Sequence, residues 1–205
     1  YFSNKGHLQK INKKNLELVK LDFSKMNEKN TKKIINRLFN KKYDTLINLV
    51  GYVDNKSFMR TDLKSILKSI KINAIIPFLI QQKIVPGMLL RNYGRILNCS
   101  SIGVKFGGGM NSYNYGLSKH CLEFIPNSFK IWAKKNVMIN NLRIGVTDTK
   151  IHLKMKKNLK MKSRLKLIPI NRMAKTNEIS NYISKMVAEE NSYMTGQTVT
   201  VSGGE

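Results

Sequence analysis

Tyr115 and Lys119 stand four residues apart in a stretch with helical character, so both side chains project from one face. A phenol with a reference pKa of about 10 is a poor acid–base group at neutral pH unless a nearby cation lowers it. Lys119 is placed to be that cation. The segment Ser100 to Lys119 reads SSIGVKFGGGMNSYNYGLSK. A serine ending the preceding strand can be carried up to the helix face by the glycine-rich loop Gly103 to Gly109. Serine, tyrosine and lysine together would polarise a carbonyl and hand it a proton. Alone, the Y-x-x-x-K spacing is common, and on a basic helix it describes two ordinary surface residues equally well.

The elements that must position these residues alternate between strand and helix type, which argues for a parallel α/β sheet. Leu16 to Leu21 predicts a short strand ending at Asp22. Asn27 to Phe39 carries a helical apolar stripe of Ile34, Ile35, Leu38 and Phe39. Thr45 to Val50 predicts a buried strand stopping at Gly51. A long helix then starts near a Thr61-Asp62 cap and runs through Ile66, Ile70, Asn73 and Phe78 to about Leu90. Arg95 to Ser100 and Val137 to Ile144 predict further strands. Between them a helix from about Ser112 to Lys134 must kink or break at Pro126. Lys150 to Lys166 shows few structural signals. Thr176 opens another helix, and Thr198 to Val201 predicts the last strand. With no linker and no internal repeat, the 205 residues read as one domain.

Composition narrows the function classes. The formal charge is +25, which invites a nucleic-acid partner. The lysines, however, are spread along the whole chain among many Asn and Ile. No zinc finger, aromatic-basic RNA motif or helix-turn-helix accompanies them, so no nucleic-acid partner is expected. No apolar run approaches the roughly 20 residues that span a bilayer. With no signal peptide visible either, a cytoplasmic protein without a membrane partner is expected. Cys99 and Cys121 lie in apolar surroundings without metal-ligand spacing, and His7, His120 and His152 are scattered, so no metal is expected.

Further residues recur in a fixed order around the Tyr-Lys pair. Asn48-Leu49-Val50-Gly51 ends one strand, Asn73 lies inside the long helix, and Ile144-Gly145 ends another strand with Thr149 just after it. The C-terminal run Tyr193 to Gln197 leads to Ser202-Gly203-Gly204. This series, from about Leu16 to Gly204, resembles the signature of the classical short-chain dehydrogenases/reductases. The resemblance implies a Rossmann-like doubly wound parallel sheet in three α/β/α layers. It implies that Tyr115 is the acid–base residue, that Lys119 lowers its pKa and bonds the nicotinamide ribose, and that Ser101 bonds the substrate oxygen. Asn73 would hold a water of a proton relay from Lys119 to solvent. Asn48 and Gly51 match a motif that supports the sheet beside the cofactor. Asp22 would contact the adenine, Ile144 and Gly145 would border the cofactor, and Thr149 would bond the carboxamide. Ser101 stands one residue further from Tyr115 than the family's usual spacing, which leaves Ser100 as a rival. Ile144 occupies a position where the family commonly has proline.

No glycine-rich pyrophosphate turn precedes Asp22, and the resemblance therefore predicts that the first strand and its loop, roughly 30 to 40 residues, are absent. Such a chain is expected to fold poorly by itself and to bind cofactor weakly. Ser3-Asn4-Lys5 contains no acid to meet a ribose 2′-hydroxyl, which favours NADP(H) over NAD(H). The stretch Lys150 to Lys166, placed where the family forms a lid, is basic, without an acid, and interspersed with apolar residues. It suits an anionic partner: a carbonyl substrate carried on acyl carrier protein or coenzyme A, or a phosphorylated sugar. The function implied is reduction of a 3-oxoacyl-like ketone by a homodimer or homotetramer. The rival readings are a sugar or polyol dehydrogenase and a non-catalytic binding protein of the same fold.

Overall fold

The computed structural model describes residues 16–149 and 159–205. Among these residues four parallel strands form a sheet, in the order β1 (Thr45–Asn48), β2 (Gly94–Ser101), β3 (Val137–Ile144) and β4 (Thr198–Val201). Parallel pairing requires crossovers, and helices supply them: α1 (Glu28–Leu38), α2 (Leu63–Ile70), α3 (Ile76–Leu90), α4 (Tyr113–Leu122), α5 (Phe129–Ala133), α6 (Leu159–Leu165) and α7 (Thr176–Val187). Because all strands run the same way, their carboxyl ends meet along one edge.

The helix starts are encoded locally. Asn27 caps α1 reciprocally with Asn30: each side-chain Oδ1 accepts from the other's backbone N–H, at 3.1 and 2.8 Å. Asp62 caps α2 by accepting from the Ser65 N–H at 2.7 Å. The long helix expected from here to Leu90 is interrupted by a π turn over Lys71–Ile75. Pro77 supplies a reason: in an α-helix the Asn73 carbonyl would accept from residue 77, which has no N–H to give.

Two apolar layers enclose the sheet. On one face Ile80, Ile84 and Met88 of α3 pack with Ile96, Val137 and Ile139, joined by Ile35 of α1. On the other, Met186 and Ile183 of α7 pack with Leu97, Cys99 and Leu142. Each such aliphatic side chain contributes about 1.5–3 kcal/mol by leaving water. Helices therefore cover both faces, as a doubly wound sheet requires.

Several expectations are corrected. Leu16 to Leu21 does not form a strand: β1 borders the sheet among the described residues, and a strand without a neighbouring ladder has no partner for its backbone groups. Leu21 and Phe23 instead pack on the core, and Asp22 starts a short 3₁₀ turn, Phe23–Lys25. For the same reason β1 is not the buried strand predicted, since Ile47 is 39% exposed. The break expected at Pro126 is present: the helix that starts near Ser112 stops at Leu122 and resumes only after Pro126 as α5. The segment read as having few signals contains α6, tied by an ion pair between Arg164 and Glu205, while residues 150–158 lie outside the described residues.

Candidate active site

The chemistry-bearing helix is α4, and glycines set where it begins. Gly108 adopts φ +87°, and a Cβ there would lie 2.7 Å from the Tyr113 Cα. A Cβ on Gly116 would in turn meet the Gly108 nitrogen at 3.0 Å. Loop and helix thus touch backbone to backbone at the first turn of α4, which fixes the height at which Tyr115 leaves the helix.

Lys119 is 2% exposed, and its ammonium donates to the main-chain oxygens of Val50 and Cys99, each at 2.7 Å. These two carbonyls lie past the end of β1 and near the end of β2, so the lysine pins α4 across the carboxyl edge of the sheet. Carbonyl oxygens replace only part of the lost hydration, and burial pushes the Lys119 pKa down from 10.5 to about 8. Its Nζ lies 5.8 Å from the Tyr115 ring centroid.

Tyr115 is half-buried, and burial raises its phenol above the ordinary value, while the neighbouring Ser101 hydroxyl pulls it back down. The expectation that Lys119 holds the phenol below its ordinary pKa is therefore corrected for this arrangement. The ammonium is turned to Val50 and Cys99, and desolvation dominates at the phenol. The rival serines separate. Ser101 accepts from the Gly103 N–H at 3.1 Å and reaches Tyr115, whereas buried Ser100 donates to the Lys119 main-chain oxygen at 3.4 Å. Gly51 borders the same phenol, since a Cβ there would stand 4.0 Å from the Tyr115 hydroxyl.

Asn73, inside the π turn, has no exposed surface, and its side chain is fully engaged. Its Oδ1 accepts from the Tyr52 N–H at 2.7 Å, and its Nδ2 donates to the Tyr52 oxygen and the Ser118 hydroxyl, both at 2.8 Å. Both amide hydrogens being used, Asn73 can meet a water only through an acceptor, such as its main-chain carbonyl, whose α-helical donor position is occupied by Pro77.

Asn48 belongs to a polar line across the sheet rather than to the phenol's surroundings. Its Nδ2 donates to Asn98 Oδ1 at 2.9 Å, and Asn98 Nδ2 donates to Asn141 Oδ1 at 3.0 Å. The line follows the strand register Asn48, Asn98, Asn141. Asp22 stands apart: its carboxylate accepts from the Ser24 N–H and hydroxyl at 2.9 and 2.7 Å, and its pKa is lowered chiefly by that hydroxyl. Ile144 packs in the α7 layer. At Gly145 a Cβ would lie 2.6 Å from the Ser202 Cα, so close chain packing alone requires glycine there. Thr149 donates to the Thr147 oxygen at 3.4 Å. These last three cluster at the carboxyl end of β3.

Ser118, Tyr52, Asn98 and Asn141 were not signalled by the sequence. An asparagine inside an apolar helix does demand partners, but nothing in the sequence says which. Cavities of about 450 Å³ beside Tyr193 and about 1290 Å³ between α1 and α3 are lined by other residues than these. Among the described residues no group of three His, Cys, Asp or Glu could hold a metal ion, and no helix is long and apolar enough to cross a membrane.

Residues 3–205 match the family model described as enoyl-(acyl carrier protein) reductase. The chain is 30% identical over 177 residues to a 3-oxoacyl-[acyl-carrier-protein] reductase of Aquifex aeolicus, a match covering 83% of this chain and 71% of the relative. The fold is shared with a 4-hydroxyisoleucine dehydrogenase complexed with NADH, at a TM-score of 0.85 and 20% identity, covering 98% of this chain and 84% of the other. It is also shared with an Agrobacterium tumefaciens 3-oxoacyl (acyl-carrier-protein) reductase with NADP bound, at 0.80 and 19%, covering 91% and 73%.

Proposed function

The chain belongs to the short-chain dehydrogenase/reductase family of NAD(P)-dependent oxidoreductases, and from that premise we propose that it reduces a 3-oxoacyl-like ketone to an alcohol, with Tyr115 as the proton donor. The observation that carries the reading is the convergence of Ser101, Gly51 and Lys119 around one half-buried phenol at the carboxyl edge of a parallel sheet. Ser101 orients the substrate oxygen and stabilises the charge that grows on it. Tyr115 delivers the proton from its hydroxyl to that oxygen. Lys119 holds positive charge beneath the phenol, and the Asn73 carbonyl positions a water through which the proton is replaced.

The nicotinamide cofactor, when bound, supplies the hydride. The donor set fits it: a buried ammonium with two of its three hydrogens on carbonyls keeps one for a ribose hydroxyl. Thr149 at the end of β3 serves the carboxamide, with Ile144 and Gly145 beside it, and Asp22 serves the adenine side. Ser3-Asn4-Lys5, outside the described residues, favours NADP(H).

The 30% identity to a 3-oxoacyl-[acyl-carrier-protein] reductase and the basic stretch Lys150 to Lys166 support an acyl thioester on acyl carrier protein or coenzyme A. Homo-oligomers fit the exposed apolar side chains Phe78 of α3 and Phe124 just past α4, whose ring centroids lie 6.4 Å apart. The substrate reading is tested by following NADPH consumption with acetoacetyl thioesters beside a panel of keto-sugars and polyols. Turnover of the thioesters is expected. Turnover confined to sugars would replace the substrate class while leaving the proton chemistry in place.

A further inference from the structure

Ser118 has no part in the steps above, yet it has no exposed surface and its hydroxyl is committed twice. It accepts from Asn73 Nδ2 at 2.8 Å and donates to the main-chain oxygen of Tyr115 at 2.9 Å. A hydroxyl has one hydrogen, so this arrangement sets its direction. Asn73 also grips both main-chain groups of Tyr52. A continuous line therefore runs from the Tyr52 backbone through the Asn73 amide and the Ser118 hydroxyl to the Tyr115 carbonyl. The next residue, Lys119, reaches the same loop directly at Val50. Two consecutive residues of α4 thus fasten it to residues 50–52, one through the π turn and one without an intermediary.

We infer that Ser118 is a positioning residue: through Asn73 it holds the Tyr115 backbone against the Val50–Tyr52 loop, and so keeps the phenol in register with the Lys119 ammonium. The inference rests on the reading of Tyr115 as the proton donor. Two attachments matter because one would leave α4 free to pivot about the lysine, whose stem is long and flexible. Removing the Ser118 hydroxyl leaves enough room but strands a buried amide hydrogen of Asn73 and frees the Tyr115 carbonyl from its second partner. Such a site could also be mere packing between α4 and the π turn. The two roles differ in what they move: packing changes stability alone, whereas positioning changes the proton step.

The test compares wild type, Ser118→Ala, Ser118→Thr and Tyr115→Phe for kcat, NADPH affinity and the pH dependence of alcohol oxidation. Ser118→Ala is expected to lower kcat about tenfold, the equivalent of one hydrogen bond, with NADPH affinity unchanged. Loosening the phenol from the Ser101 hydroxyl, which pulls its pKa down, should move the pH midpoint of oxidation upward. Ser118→Thr, which restores the hydroxyl, should restore the midpoint even if its extra methyl lowers the melting temperature. If Ser118→Ala does not fold, Ser118→Cys, close in shape but a weak donor, is read in its place. A wild-type kcat and midpoint in Ser118→Ala or Ser118→Cys, with Tyr115→Phe inactive, overturns the positioning role and leaves the reading of Tyr115 intact. Full activity in Tyr115→Phe overturns that reading itself.

Discussion

The Lys119 ammonium donates to the Val50 carbonyl at 2.7 Å, across from α4 to the loop that follows β1. A buried cation is thereby attached to the residue before Gly51, the glycine that borders the Tyr115 phenol. One contact sets both the charge beneath the phenol and the wall beside it.

That burial has a consequence for stability against pH. Lys119 falls from 10.5 to about 8, and buried Cys99 rises from 9.0 to about 11. Between about 8 and 9 the unfolded chain still binds a lysine proton that the folded chain has released, so stability rises with pH. Above 9 the folded chain keeps a thiol proton that the unfolded chain has lost, and Cys99 offsets the gain up to 10.0, above which the raised Tyr115 phenol tips the balance downward. Urea unfolding across this range should show the rise and then a plateau, and Lys119→Met should abolish the rise. An unchanged rise in that variant would assign it to other groups.

The two adjacent serines should separate in kinetics. Ser101 neighbours the phenol and caps the turn at Gly103, whereas Ser100 makes one long bond to the Lys119 backbone. Ser101→Ala should lower kcat about a hundredfold, in the range of a lost oxyanion donor, and Ser100→Ala less than about threefold. The reverse ranking would move the substrate oxygen to Ser100.

The asparagine line should matter for the sheet and little for the proton step. Asn98 accepts from Asn48 and Gln81 and donates to Asn141, all in the buried interior. Asn98→Ala strands these groups together and should destabilise the fold by about 3 kcal/mol, measured by denaturant unfolding. A loss below about 1 kcal/mol would mean that the line relaxes onto other partners.

Much of this arrangement was legible in the sequence, and the exceptions share a cause. β2 and β3 carry enough aliphatic residues between loop signals to be readable as strands, as was the helix that carries Tyr115 and Lys119 on one face. Leu16 to Leu21 has the same local character, but a strand exists only with a neighbour, and local pattern says nothing of neighbours. The π turn could be suspected from Pro77 only once Asn73 was known to face the site. Asn48, Asn98 and Asn141 form a line because three strands align in register, a tertiary fact. Ser101 and Ser100 could not be told apart until the glycine loop had a path. The lysine's carbonyl partners, Val50 and Cys99, have no side-chain signature at all.

The most direct test of the central claim is to measure kcat for ketone reduction in Tyr115→Phe with NADPH affinity monitored in parallel. The variant keeps the ring and loses only the transferable proton. If Tyr115 is the donor, kcat falls by about a thousandfold, within the range of general acid catalysis, while NADPH binds as before. A kcat within about tenfold of wild type, with cofactor bound, would contradict the assignment and place the proton donor elsewhere.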